Sequence, residues 1–370
     1  MYNILIFGMN DNQGGVESVI MNYYRVLKNS KIHFDFLCNT HNKIAYEDEI
    51  IAHGSKVYHI APRSKTPIRY YKELRDFFHK HGQNYDCLWS NQNTLVNIDY
   101  LKWAKKAKIK KIIIQSHNSS DNTSKLKSFI HNRHKRVLAR YATDYWAVSD
   151  IAADFFFNKK LLPKVKIVKN SIDINKFKYS EEKRESIRKK YNLEDAIIVG
   201  NVGRLGYQKN QHFAITLFES ILKTKKKAYL ILVGNGEDRE KLLDQAKKLN
   251  IQNKIIFAGM QNDMQAWYSA FDLFLFPSHF EGLPMAALEA QANGLPVLAA
   301  SDGMPTNVKI NNNFHFLSLS DPQKEWTHKI IELLDSNRRE NFENIEKNFT
   351  INNLNLNYEK TRLEKLFLKN

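Results

Sequence analysis

Short apolar runs alternate with stretches of helical period over most of the chain. Residues 4–7, 34–37, 57–60, 87–89, 112–114 and 145–148 are apolar runs of strand length, and 16–27, 68–78, 98–107 and 124–140 carry apolar positions at helical spacing between them. Strands that alternate with amphipathic helices build a parallel sheet covered on both faces, and ligands of such sheets bind at the carboxyl ends of the strands. A strongly polar stretch at 175–195 closes this series. A second then begins, with strands predicted at 197–202, 229–233, 255–257, 273–276 and 297–300, and helices near 211–224, 238–249 and 264–270. The pattern predicts an α/β protein of two Rossmann-like domains, residues 1–174 and 175–349. The tail from 326 to 367 reads as helices, apolar at Ile330, Leu333, Leu334, Leu363, Leu366 and Phe367. It can cap either domain, and 350–370 is a candidate to complete the first.

Composition agrees with this division, because 370 residues with 43% hydrophobic side chains suffice for two cores. No run approaches the roughly 18 uninterrupted apolar residues of a membrane span. The N-terminus, MYNILIFGMN, lacks a basic region and a small-residue cleavage site and reads as a buried strand, so a cytoplasmic protein is expected. Cys38 and Cys87 sit in apolar runs without metal or redox spacing and read as reduced core residues. The formal charge of +17 is unevenly spread: twelve Lys or Arg face one acid, Asp121, over 102–140, whereas 255–322 carries one base, Lys309, against six acids. Such a basic segment attracts anionic surfaces.

The candidate chemistry gathers at predicted strand ends. In PSHFEGLPMAALEAQANGLPV, residues 277–297, Glu281 and Glu289 flank a Gly-Leu-Pro turn that follows the strand at 273–276. Pro284 suits the first helical position, and the amides of Gly282 and Leu283 then point out of a helix start, where the dipole favours a phosphate. Two ordinary surface carboxylates are the alternative. Arg204 and Lys209, in GRLGYQKN after the strand at 197–202, are spaced to clamp a diphosphate, the first through a forked donor and the second as a point charge, with two solvated cations as the alternative. This loop and the Glu281 loop are expected on the same edge of one sheet. In DNQGGVE, Gly14 and Gly15 let the main chain approach a ligand at a helix start, with a plain turn as the alternative, and Glu17 reads as a first-turn acid. GNGE, residues 234–237, reads as a tight turn into a helix capped by Glu237 and Asp238. Gly259 and Met260 are placed to offer backbone groups to a base. His117 stands at a predicted strand's carboxyl end in a small-polar loop, and no histidine has a partner at metal-ligand spacing.

Taken together, GGVE, HNSS, NSID at 170–173, GRLGYQKN and FEGLPMAALEAQANGLPV resemble the retaining glycosyltransferases of family 4, which have the GT-B fold. The resemblance runs over roughly 4–310 and implies two Rossmann-like domains facing across a cleft, a nucleotide-sugar donor and no metal or other cofactor. By position, Arg204 and Lys209 would hold the diphosphate, and Gly14 and Gly15 would approach the donor from the first domain. Glu281 with the Gly282 and Leu283 amides would face sugar and phosphate. Glu289 would bond the ribose, and His117 would orient the sugar. The resemblance further implies a UDP-sugar donor and a glycan or lipid-linked acceptor in capsular or exopolysaccharide synthesis. Two departures stand out. Ser171 replaces the family's usual Gly in Asn-Gly-Ile-Asp, and TNVKI after Pro305 lacks an acid that relatives often carry.

Other readings compete. A retaining glycosidase also uses two carboxylates but needs no phosphate clamp. A nucleotide-sugar epimerase shares the fold and needs no acceptor. A nucleic-acid binder would expose aromatics in its basic segment, yet Leu126, Phe129, Ile130, Val137, Leu138 and Tyr141 fall at helical core spacing. The segment is therefore read as a basic amphipathic helix and not as a nucleic-acid binder, with docking on anionic lipid at the inner face of the plasma membrane and a plain solvated helix face as the two readings.

Overall fold

A computed structural model describes residues 1–12, 14–28, 30–120, 124–336 and 338–369. Gln13 of the DNQGGVE stretch and Asp121 of the basic segment lie outside the described residues. The chain forms two compact units, Met1–Ser171 with Leu356–Asn370, and Ile172–Asn355.

The first unit holds a seven-stranded sheet: β1 (Tyr2–Phe7), β2 (Ile32–Cys38), β3 (Val57–His59), β4 (Cys87–Gln92), β5 (Lys111–Ser116), β6 (Asp144–Ala147) and β7 (Val165–Ile167). Its order is β3-β2-β1-β4-β5-β6-β7, every neighbouring pair parallel. The second unit holds six parallel strands, β8 (Ile197–Val202), β9 (Ala228–Val233), β10 (Ile255–Gly259), β11 (Leu273–Phe276), β12 (Val297–Ala300) and β13 (Phe314–Leu317), ordered β10-β9-β8-β11-β12-β13. In both sheets the strand order reverses beside the first strand, between β1 and β4 and between β8 and β11. A crevice opens at the carboxyl ends at such points, and ligands settle there.

Continuous apolar runs are what a strand buried on both faces needs, and β8, β9, β11 and β12 are accordingly almost inaccessible. Two edge strands escape the periodicity: Val165–Ile167 is short and interrupted by a lysine, and Phe314–Leu317 by a histidine. The polar stretch at 175–195 contains the helix Glu181–Lys190, whose two arginines turn away from solvent. Arg184 and Arg188 pair with Asp272 at 2.7 and 2.6 Å, and Arg188 also donates to the Ala270 carbonyl, tying the helix beneath β11.

The tail serves both units. Gln323–Ser336 packs Trp326, Ile330 and Leu333 into the second core. Leu356–Leu368 returns to the first, where Phe367 is enclosed by Phe34, Trp89 and Trp146 at centroid distances of 6.0, 5.1 and 5.2 Å. The buried Lys111 ammonium, at the start of β5, caps that helix by donating to the carbonyls of Leu366 and Phe367 at 2.9 and 3.1 Å and to that of Lys369. Cys38 and Cys87 are buried thiols.

The basic helix, Lys125–Val137, corrects one expectation. Leu126 and Phe129 are not core residues but stand 68% and 63% exposed, while the residue that the helix buries is His131. His131 accepts the Leu95 N–H at 3.0 Å and stacks on Phe155, so the imidazole turns the helix and sends its apolar tips outward.

Candidate active site

The second unit's site is built where β8 and β11 lie side by side. After β8 the chain makes one turn of 3-10 helix, Tyr207–Lys209, passes Asn210 in the left-handed region (φ 53°) and enters the helix Gln211–Leu222. After β11 it runs through 277–284 into the helix Met285–Ala292. Pro284 is the cap of that helix (φ −73°, ψ 118°) and not its first residue, a correction of one position. Its ring precedes the turn, and its carbonyl accepts the Leu288 N–H at 3.2 Å.

The two loops are laced together. His279 N–H donates to the Gln208 carbonyl at 2.9 Å, Gln208 Nε2 to the Phe280 carbonyl at 3.0 Å, and Glu281 N–H to the Gly303 carbonyl at 2.9 Å. Across this seam Lys209 Nζ meets Glu281 Oε1 at 2.7 Å, with side chains 16% and 6% exposed, and lies 4.6 Å over the Phe276 ring. A charge so placed acts with little water to screen it. Gly203, at φ 149°, makes room for it, since a Cβ there would lie 2.8 Å from Lys209 Cε.

Arg204 takes a different position. It stands 76% exposed and bonds Glu237 Oε2 at 2.8 Å, so Glu237 reaches across to β8 and does not cap the next helix. That helix, Arg239–Lys248, has Asp238 at its cap without a side-chain bond to its amides. The glycines of GNGE are a packing device: a Cβ on Gly234 (φ 128°) would sit 2.1 Å from the Gly203 carbonyl oxygen. Gly259 closes the same seam, its carbonyl accepting the Gly234 N–H at 2.8 Å, and Met260 beyond it is 52% exposed.

Glu289 lies inside its helix, partly buried, and accepts the Tyr268 hydroxyl at 2.9 Å. Loss of hydration raises its pKa to about 7, against the opposing pull of Tyr268 and Lys209. Gly282, Leu283 and Pro284 are buried between the two acids. Sequence reasoning passed over two supports. Tyr268 aims Glu289, and the buried Gln211 bonds Asn201 Oδ1 and the Arg204 carbonyl at 3.2 and 3.1 Å, shaping the Lys209 loop. A lone Tyr or Gln on a helix has no spacing signal to distinguish it.

In the first unit, Gly14 caps and Gly15 begins the helix Gly15–Leu27 at the carboxyl end of β1. Glu17 is the first-turn acid expected, and it is buried: it is 5% exposed, accepts from Asn10 Nδ2 at 3.0 Å and has its pKa raised by burial. His117 follows β5, buried, with Nε2 2.8 Å from Asn91 Oδ1. Burial lowers its pKa to about 3, so the imidazole is neutral and can exchange hydrogen bonds but not act as an acid at neutral pH. Ser171 keeps φ outside the left-handed region, so no glycine is needed there. Among the described residues no three His, Cys, Asp or Glu side chains are grouped to hold a metal ion.

The family described as Glycosyltransferase Family 4 matches residues 13–176, and that described as Glycosyl transferases group 1 matches 183–349. Between them they take in nearly the whole chain. The chain belongs to the family 4 glycosyltransferases. This glycosyltransferase is 26% identical over 329 residues to EpsF of Bacillus subtilis (strain 168), a protein named as a glycosyltransferase, with 86% of this chain and 84% of the relative covered. It is 28% identical over 155 residues to the UDP-Gal:α-D-GlcNAc-diphosphoundecaprenol α-1,3-galactosyltransferase of Escherichia coli, covering 41% of this chain and 40% of that one. Among solved structures, HepE of Anabaena in complex with UDP and glucose superposes with a TM-score of 0.81 at 17% identity, over 99% of both chains. The fold of this glycosyltransferase is GT-B.

Proposed function

We propose that this glycosyltransferase moves a hexosyl or N-acetylhexosaminyl group from a UDP-sugar to a glycan or lipid-linked saccharide, with retention of anomeric configuration, in surface polysaccharide synthesis. The observation that carries the reading is the buried Lys209–Glu281 pair at the β8/β11 switch point, beside a helix start. Lys209 meets the departing diphosphate, with Arg204 joining it once released from Glu237. Glu281 and the Gly282 and Leu283 amides face sugar and phosphate, Glu289 holds the ribose, and Gly259 and Met260 lie by the base. In the first unit, the Gly14 and Gly15 main chain and the neutral His117 orient the donor. The leaving phosphate takes the acceptor's proton, so preorganised charge does the catalysis and neither a protein base nor a metal ion is called on. HepE complexes with UDP and glucose and with UDP-glucose, and the UDP-Gal donor of the E. coli relative, support the choice of nucleotide.

The test is a thermal-shift series with UDP-, GDP- and ADP-sugars, in which a ligand that binds the folded state raises the midpoint. UDP-sugars are expected to give the largest rise, and Glu289→Ala to remove most of it. Because the Glu289 pKa is raised to about 7, its contribution to unliganded stability is complete below the ordinary carboxylate range and is lost as pH rises through 7. Ribose hydroxyls donate to the ionised form, so the UDP-sugar shift should grow between pH 6 and 8 and become flat in Glu289→Gln. A shift equal for all three nucleotides, or indifferent to Glu289, overturns the donor assignment.

We further propose that the enzyme works at the cytoplasmic face of an anionic membrane, where a lipid-linked acceptor would lie. The helix Lys125–Val137 supports this, since exposed Leu126 and Phe129 stand among exposed Lys125, Lys127, Arg133 and Arg136. No helix among the described residues is long and apolar enough to cross a membrane. Each basic residue near an anionic surface contributes on the order of 1 kcal/mol, and the two apolar tips add burial in the headgroup region. Sedimentation with phosphatidylglycerol vesicles is expected to fall at least several-fold in Leu126→Glu/Phe129→Glu and in high salt. Equal binding to neutral vesicles would refute the attachment.

A further inference from the structure

The loops that carry Lys209 and Glu281 also carry an aromatic pair with no part in the donor site. Tyr207, two residues before Lys209, lies flat on the imidazole of His279, two residues before Glu281, with ring centroids 4.5 Å and planes 19° apart. The pair is held from below by the bonds that lace the loops, His279 N–H to the Gln208 carbonyl at 2.9 Å and Gln208 Nε2 to the Phe280 carbonyl at 3.0 Å. Partial burial lowers the His279 pKa, against the pull of Asp302, so the underlying ring carries little charge at neutral pH.

One face of Tyr207 is spent on His279, yet the residue stays 55% exposed. A large ring kept flat and open does little for the fold, but it is a rigid surface that loses little entropy when something binds. A pyranose is its chemical complement. One face of the sugar ring presents C–H bonds with partial positive charge, which lie well on the negative face of an aromatic ring, while the hydroxyls at its edge stay in water.

We propose that Tyr207, backed by His279, is a stacking subsite for a pyranose ring of the acceptor. The inference rests on the donor reading above, which gives the buried Lys209–Glu281 pair to the donor and leaves the solvent-side ring for the second substrate. Because Tyr207 and His279 sit in the same two loops as Lys209 and Glu281, the stacking surface lies two residues from each member of the proposed donor grip.

Saturation-transfer NMR on the full chain, with UDP present, tests this using methyl glycosides of glucose, galactose and N-acetylglucosamine as probes. At least one glycoside is expected to receive saturation, strongest at the C–H protons of one ring face, in the wild type and in Tyr207→Trp. Tyr207→Ala should lose roughly tenfold of that signal while its UDP-induced thermal shift stays at the wild-type value. Undiminished signal in Tyr207→Ala, or no signal from any of the three glycosides with the wild type, overturns the subsite. A Tyr207-dependent glycoside signal in a protein that UDP does not stabilise would instead sink the donor reading and leave the subsite standing.

Discussion

Alanine at Lys209 or at Glu281 is expected to abolish sugar transfer, lowering the rate by roughly a thousandfold or more, as when a preorganised charge is removed from a transition state. The two losses have different chemical causes. On the proposed reading, loss of Lys209 takes the buried cation from the departing diphosphate and leaves only Arg204 and the loop amides to meet its charge. Without Glu281 the Lys209 ammonium, 2.7 Å from it, is no longer held over the Phe276 ring and swings towards solvent. Lys209→Ala also strands the buried Glu281 carboxylate, at a cost on the order of 3 kcal/mol. A further variant separates stability from chemistry: Lys209→Met with Glu281→Met removes both charges at similar volume, so it should recover much of the thermal midpoint and none of the transfer. Wild-type-like turnover in either single variant would show that the pair is a structural ion pair and not the donor grip.

Removing residues 356–370 is expected to unfold the first unit and spare the second. Phe367 and Leu363 are wholly buried there, and Phe367 fills the space between Phe34, Trp89 and Trp146. Its loss alone, in Phe367→Ala, should cost about 3–5 kcal/mol. The truncation goes further, because the Lys111 ammonium also loses the carbonyls that it caps and is left charged in an apolar site. The second unit keeps its own core, in which Trp326 and Ile330 remain. Calorimetry should therefore show one transition lost and one retained. A truncated chain that melts as the full-length chain does would mean that the helix is an accessory and not part of the core.

Much of the second unit's site was legible in the sequence. The loops of Lys209 and Glu281 were expected on one edge of one sheet, because both follow apolar runs in a parallel α/β pattern, and the 2.7 Å contact shows them there. What the spacing could not convey is partnership. Arg204 and Lys209 are five apart, a spacing that suggests a pair, but Lys209 turns inward to Glu281 and Arg204 outward to Glu237. Glu237 looked like a cap because acids before helices commonly are, and a cation 33 residues away proved the better partner. Leu126 and Phe129 have core spacing, but periodicity says only that a face is apolar and not what covers it. His131 took the inward position, where a ring nitrogen could accept a backbone N–H that a leucine would have left unpaired.

The sequence by itself determined the class of the protein: two parallel α/β layers, because uninterrupted apolar runs suit only strands covered on both faces, and a site at their carboxyl ends, because that is where such loops converge. The tertiary structure alone decided which charges face each other, which acid is strained towards neutrality and which unit the last helix completes. Those outcomes depend on burial, and burial is a property of neighbours brought together from distant parts of the chain. Glu289 shows the difference: its place in a helix can be read from residues 284–292, but a pKa of about 7 requires desolvation strong enough to outweigh the opposing pull of the Tyr268 hydroxyl, and only the folded unit supplies it.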